Sequence, residues 1–226
     1  MNRRNSIKKS WNLFSGTIRS AFGDPNAWES SIIQFEKEEK ISPSITNGII
    51  FIGSSTFTLW KTLERDMAPL KVVNRGFGGS RMADMSRYYN RLVLPFNPKA
   101  VVLFAGTNDI SGKKPATAEE VFQGYLSFIQ HVRNTLPKTK IYYVAITPTP
   151  LRWKYWEISR EVNKLIRDYS EENLNLHFID TTTKFLGSDG KPIRTLFRID
   201  KLHPNRKGYQ LLTDTIKTRL KADLEK

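Results

Sequence analysis

The chain has 226 residues, 39% of them hydrophobic, enough to fill the core of one domain. It has no cysteine, which excludes disulfides, thiolate metal sites and a cysteine nucleophile. Its net charge of +14 would suit a polyanion, but no nucleic-acid motif accompanies the charge, so the expectation is a solvated basic surface with no nucleic-acid partner.

The first residues differ from the rest. Arg3, Arg4, Lys8, Lys9 and Arg19 precede any acidic residue, while Ile7, Trp11, Phe14, Ile18 and Phe22 recur at spacings of three and four, along one helical face. Residues 11–16 are too polar and too short for the apolar core of a secretory signal, and no run in the chain approaches the roughly 18 apolar residues of a membrane span. Residues 1–27 are thus read as a basic amphipathic segment ahead of a domain over 28–226. Three burial sites for its stripe stay open: the domain itself, a homodimer contact, or an anionic membrane surface met through residues 1–22. The expected location is cytoplasmic, with membrane association as the alternative.

A helix is predicted from Trp28 to Lys40, closed off by Pro43. From residue 48 onward, short apolar runs alternate with helical patterns. Runs over 48–52, 71–74, 100–105, 141–146 and 176–180 are continuous enough for strands covered on both faces. Helical spacing marks 57–65, 82–91, 117–135, 154–172 and 205–220. This alternation predicts a parallel five-stranded sheet with right-handed crossovers and helices on both sides, a flavodoxin-like three-layer α/β/α sandwich.

In such sheets ligands bind beyond the carboxyl ends of the strands, and there the unusual segments fall. Gly53-Ser54-Ser55 follows the first strand, Asn74-Arg75-Gly76-Phe77-Gly78-Gly79-Ser80 the second, and Gly106-Thr107-Asn108-Asp109 the third. Asp200-Lys201-Leu202-His203-Pro204 precedes the last helix. Together they offer a hydroxyl nucleophile, a base, an orienting carboxylate and oxyanion donors, the parts that acyl transfer needs. Each string alone is weak: Ser54 and Ser55 suit a helix cap, and Asn108 and Asp109 suit a turn.

With these blocks in place, the chain resembles the SGNH, or GDSL-like, hydrolases over roughly residues 48–220. The resemblance implies a Ser-His-Asp esterase acting through an acyl-enzyme on short-acyl or acetyl esters, with no cofactor and no metal. Carried over block by block, it makes Ser55 the nucleophile, His203 the base and Asp200 the residue that orients it. Ser55, Gly79 and Asn108 form the implied oxyanion hole. Ser54 stands where the family has aspartate. His131 and His177 fall in helical and strand patterns and read as structural.

For substrate contacts, Trp60, Arg152 and Trp153 are candidates, the aromatics as walls of a carbohydrate or lipid ester site; Arg75, Arg81 and Arg152 together hint at an anionic group on the substrate. The alternatives are a membrane- or nucleic-acid-binding protein on a degenerate hydrolase scaffold, and a metal-dependent phosphoesterase using Asp109, Asp200 and His203.

Overall fold

The computed structural model describes residues 27–41 and 46–224, so the amphipathic stripe of residues 1–22 lies outside the described residues. Five strands, β1 (Ile49–Gly53), β2 (Val72–Gly76), β3 (Ala100–Phe104), β4 (Lys140–Val144) and β5 (Leu176–Ile179), pair in parallel in the order β2-β1-β3-β4-β5. β1 is in register with both neighbours, Gly53 lying opposite Gly76 on one side and Phe104 on the other.

Alternation along each strand builds two cores. Ile49 and Phe51 of β1 and Val102 of β3 pack with α2 (Ser55–Thr58), α3 (Leu63–Met67) and α8 (Arg206–Leu224), through Phe57, Leu63, Met67, Leu212 and Ile216. Ile50, Ile52, Val101 and Leu103 point the other way. They meet α1 (Glu29–Ile41), α4 (Met82–Arg87), α5 (Tyr89–Leu92), α6 (Ala118–Thr135) and α7 (Trp156–Glu172). Burial on both faces is why the strands read as continuous apolar runs rather than alternating ones. The flavodoxin-like α/β/α sandwich expected from the sequence is the observed fold.

Local chemistry sets the boundaries. Thr117 and Glu120 form a reciprocal capping box that starts α6 one residue after the expected position. The helix expected over 57–65 divides into α2 and α3. Asp66 Oδ2 accepts from Trp60 Nε1 at 2.8 Å and from Thr62 Oγ1 at 2.5 Å, holding the intervening turn outside helical geometry. The helix expected over 82–91 likewise breaks at Tyr88, with φ −96° and ψ 7°. β4 stops at Val144 because Asn163 of α7 replaces strand partners. Its Oδ1 accepts from Ile146 N–H at 2.8 Å and its Nδ2 donates to Ile146 O at 3.1 Å. A short 3₁₀ turn over Trp153–Tyr155 precedes α7, and α8 continues to Leu224.

Candidate active site

β1 and β3 are neighbours from which the chain crosses to opposite faces of the sheet, so the loops at their carboxyl ends diverge and leave a crevice. Gly53 makes the close approach there possible: a Cβ on it would lie 2.3 Å from Phe104 O. Ser54 N–H donates to the same carbonyl at 3.0 Å, and the chain then turns into α2. The two serines have different fates. Ser54 is fully buried (0% exposed) and its hydroxyl has no hydrogen-bond partner among the described residues, whereas Ser55 opens α2 and lines the crevice.

His203 reaches Ser55 from the far end of the chain. Its Nε2 lies 2.8 Å from Ser55 Oγ, and its Nδ1 lies 2.8 Å from Asp200 Oδ2. Asp200 Oδ1 accepts the backbone N–H groups of Leu202 and His203, both at 2.9 Å. Burial alone would raise the Asp200 pKa. The N–H groups and ring of His203 and the N–H of Leu202 outweigh it and hold the carboxyl at about 2, so it is ionised at any ordinary pH. The loop carrying the pair is closed by Arg198 N–H to His203 O, Asn205 N–H to Leu196 O and a bridge between Phe197 and Pro204, with Lys201 at φ 58° turning the chain. Gly208 lets α8 start against this loop, since a Cβ on it would meet Leu196 O at 2.4 Å.

Beside the crevice, the loops after β2 and β3 interlock, and Thr107 of the latter lines it. Gly79 has φ 82°, and a Cβ there would lie 2.8 Å from the Trp28 ring; the indole Nε1 in turn donates to Asp84 Oδ2 at 3.1 Å. Asn108 Nδ2 donates to Ser80 O at 2.9 Å, tying the loop after β3 to the loop after β2. Asp109 adds a second tie by accepting Met82 N–H at 3.1 and 3.2 Å. Burial drives its pKa up to about 6 although that N–H opposes the shift. Asp109 is therefore directed at α4. Among the described residues no cluster of three or more metal-ligating side chains forms.

Of the expected substrate contacts, the structure brings only Arg152 to the crevice, and its guanidinium is engaged with Thr107 and Asn108. Trp60 is 1% exposed, packed against Phe51, Phe57 and Tyr209 beneath the sheet, so it forms no wall of the site. The reason is the Asp66 carboxylate, which satisfies its indole N–H inside the core. Trp153 is half-buried and stacks on Trp156 at 5.9 Å, apart from the crevice lining. Arg75 is buried between the Phe35 and Phe96 rings and pairs with Glu39, which accounts for its charge without a substrate. Arg81 caps α4. His131 bonds Ser127 O, and His177 stacks on Tyr142 and accepts from Arg219; both lie away from Ser55. Trp28, the buttress of the Gly79 turn, is the site residue that the sequence reading missed, because its helical spacing signals only an apolar face.

Residues 44–211 match the model of the GDSL-like lipase/acylhydrolase family. The rat platelet-activating factor acetylhydrolase IB subunit alpha1 is 33% identical over 170 residues, covering 71% of this chain and 69% of that protein; the human counterpart is 32% identical over the same length. Among solved structures, a GDSL-like lipase from Bacteroides thetaiotaomicron superposes with a TM-score of 0.71 at 19% identity, covering 85% of this chain and 98% of that one. A carbohydrate esterase family 3 structure from Talaromyces cellulolyticus superposes with a TM-score of 0.63 at 18% identity, covering 78% and 97%. The structural likenesses carry the fold, and the family match and the acetylhydrolase identity carry the lineage: this chain belongs to the GDSL-like lipase/acylhydrolase family.

Proposed function

We propose that the protein is a serine hydrolase that cleaves short-acyl esters, acetyl esters above all, through an acyl-enzyme on Ser55. The observation that carries this reading is the unbroken relay from Asp200 through His203 to Ser55, each link 2.8 Å. Ser55 Oγ attacks the ester carbonyl carbon while His203 Nε2 takes its proton. Asp200 holds the imidazole with Nδ1–H toward itself and stabilises the imidazolium that forms. The carbonyl oxygen becomes an oxyanion, received by the free hydrogen of Asn108 Nδ2 and by the N–H groups of Gly79 and Ser55. Collapse expels the alcohol, which takes the proton from His203. Water then attacks the acyl-serine with His203 again as base, releasing the acid and restoring Ser55.

The crevice beside Ser55 and His203 is lined by Thr56, Phe104, Thr107, Thr147 and Phe197, a mixed apolar and hydroxyl surface that supports an uncharged acyl group. The relatives' name, acetylhydrolase, supports acetyl release.

The test is hydrolysis of p-nitrophenyl acetate, butyrate and octanoate, with fluorophosphonate labelling mapped by mass spectrometry. The expected result is a kcat/KM that falls with chain length, a label on Ser55 and no effect of EDTA. A folded protein that hydrolyses none of these esters and takes no label would return the chain to the binding-protein alternative, and metal-dependent activity would return it to the phosphoesterase.

A further inference from the structure

We propose that Arg152 is a positioning residue for the oxyanion hole, locking the Asn108 amide in its donating orientation; this rests on the esterase reading above. An asparagine amide is nearly symmetric in shape, and a flip would present oxygen where the oxyanion needs a donor. The flip is blocked at both ends. Arg152 NH2 donates to Asn108 Oδ1 at 2.9 Å, and a guanidinium can only donate; Ser80 O accepts from Asn108 Nδ2 at 2.9 Å, and a carbonyl can only accept. Reversal would set N–H against N–H and oxygen against oxygen.

The same guanidinium also fixes the loop. NH1 donates to Thr107 O at 2.7 Å and to Thr107 Oγ1 at 2.8 Å, so one planar fork spans two successive residues of the segment after β3. Arg152 is itself held by its neighbours. Its N–H donates to Thr149 Oγ1 at 3.2 Å, and the preceding Leu151 N–H donates to Lys201 O at 2.9 Å, in the loop that carries Asp200 and His203. Arg152 therefore links the oxyanion side of the crevice to the acid–base side. All its hydrogen-bond acceptors are neutral, so its charge is not cancelled by a partner in these bonds, and donation to Oδ1 polarises the amide toward stronger donation from Nδ2.

The experiment is a double-mutant cycle on p-nitrophenyl acetate with Arg152→Met, Arg152→Lys, Asn108→Ala and both Arg152 variants combined with Asn108→Ala. Arg152→Met is expected to lower kcat about 10- to 100-fold with KM changed less than about threefold, because the interaction is made in the transition state. Arg152→Lys should recover little, since one ammonium cannot span both residues. In the Asn108→Ala background each Arg152 substitution should cost less than about threefold, because its object is gone. A loss that persists in full in that background, or that falls on KM, would overturn the proposal. If Arg152→Met does not fold, the Arg152→Lys arm of the cycle decides by the same criterion. Wild-type kcat in Asn108→Ala alone would instead overturn the oxyanion assignment on which the inference rests.

Discussion

The two sides of the crevice are built on opposite principles. The acid–base side is one short loop at the surface, with the Asp200 side chain 44% exposed and Ile199 at 99%, and its carboxylate is held ionised by N–H groups of its own loop. The side proposed to hold the oxyanion is assembled from three segments, the turns after β2 and β3 and the Arg152 stretch after β4, cross-linked by Asn108, Asp109 and Arg152. Its carboxylate, Asp109, is buried and pushed toward protonation. The contrast matches the tasks that the proposed mechanism gives the two sides. A base exchanging protons with alcohol and water works where water can arrive, while donors for a developing charge act best when fixed and dry before the charge appears.

The largest expected effect comes from the acid–base side. Ser55→Ala and His203→Ala should each lower kcat by about 10⁴-fold or more in a protein with an unchanged circular dichroism spectrum. Retention of turnover in either would remove the relay from the mechanism. Next comes the oxyanion side, where Asn108→Ala should lower kcat by about 10²–10³-fold with a smaller change in KM.

The comparison sharpens with Asp109→Asn, which should act on stability. A carboxyl raised from 3.8 to about 6 binds its proton more tightly in the folded state, so its contribution is present at low pH and is lost as pH rises between those values. Urea denaturation of wild type against the variant near pH 4 and near pH 7 should show this dependence flattened by about 2–3 kcal/mol in the variant. Equal pH dependence in both proteins would mean that Asp109 is not the group responsible. The smallest effect belongs to Ser54→Ala, which should keep kcat within about twofold and leave stability unchanged or raised, since it removes a buried hydroxyl with no partner among the described residues. A dead Ser54 variant beside an active Ser55 variant would reverse the assignment.

What the sequence made legible follows the same division. The five strands were visible because both faces of each are buried; Ser55 stood out because its segment follows β1, and Asp200 and His203 because their segment stands just before the last helix, as the family's final block does. Trp60 departs from the expectation, and Arg152 reaches the crevice with its guanidinium already engaged, for one shared reason. Each carries a polar group whose partner is distant or conformational: Asp66, six residues on, takes the indole N–H, and Thr107 and Asn108, more than forty residues back, take the guanidinium. Residue type and position near a strand end cannot reveal that such a group is already occupied. The splitting of the helices at Leu59–Thr62 and at Tyr88 has the same origin, side-chain and packing contacts overriding a continuous helical pattern.

The spans bridged by the relay carry a consequence for how the protein acquires activity. The Asp200–His203 contact joins residues three apart within a loop that closes on itself, whereas the His203–Ser55 contact joins residues 148 apart. The first needs almost no chain closure; the second requires β1, β3 and α8 to have come together first, against the entropy of a long loop. During refolding the imidazole–carboxylate pair can form early, but the proposed relay also needs the long-range closure. Recovered esterase activity in a stopped-flow experiment should therefore report closure of the His203 loop onto the end of β1 and lag the return of helical signal.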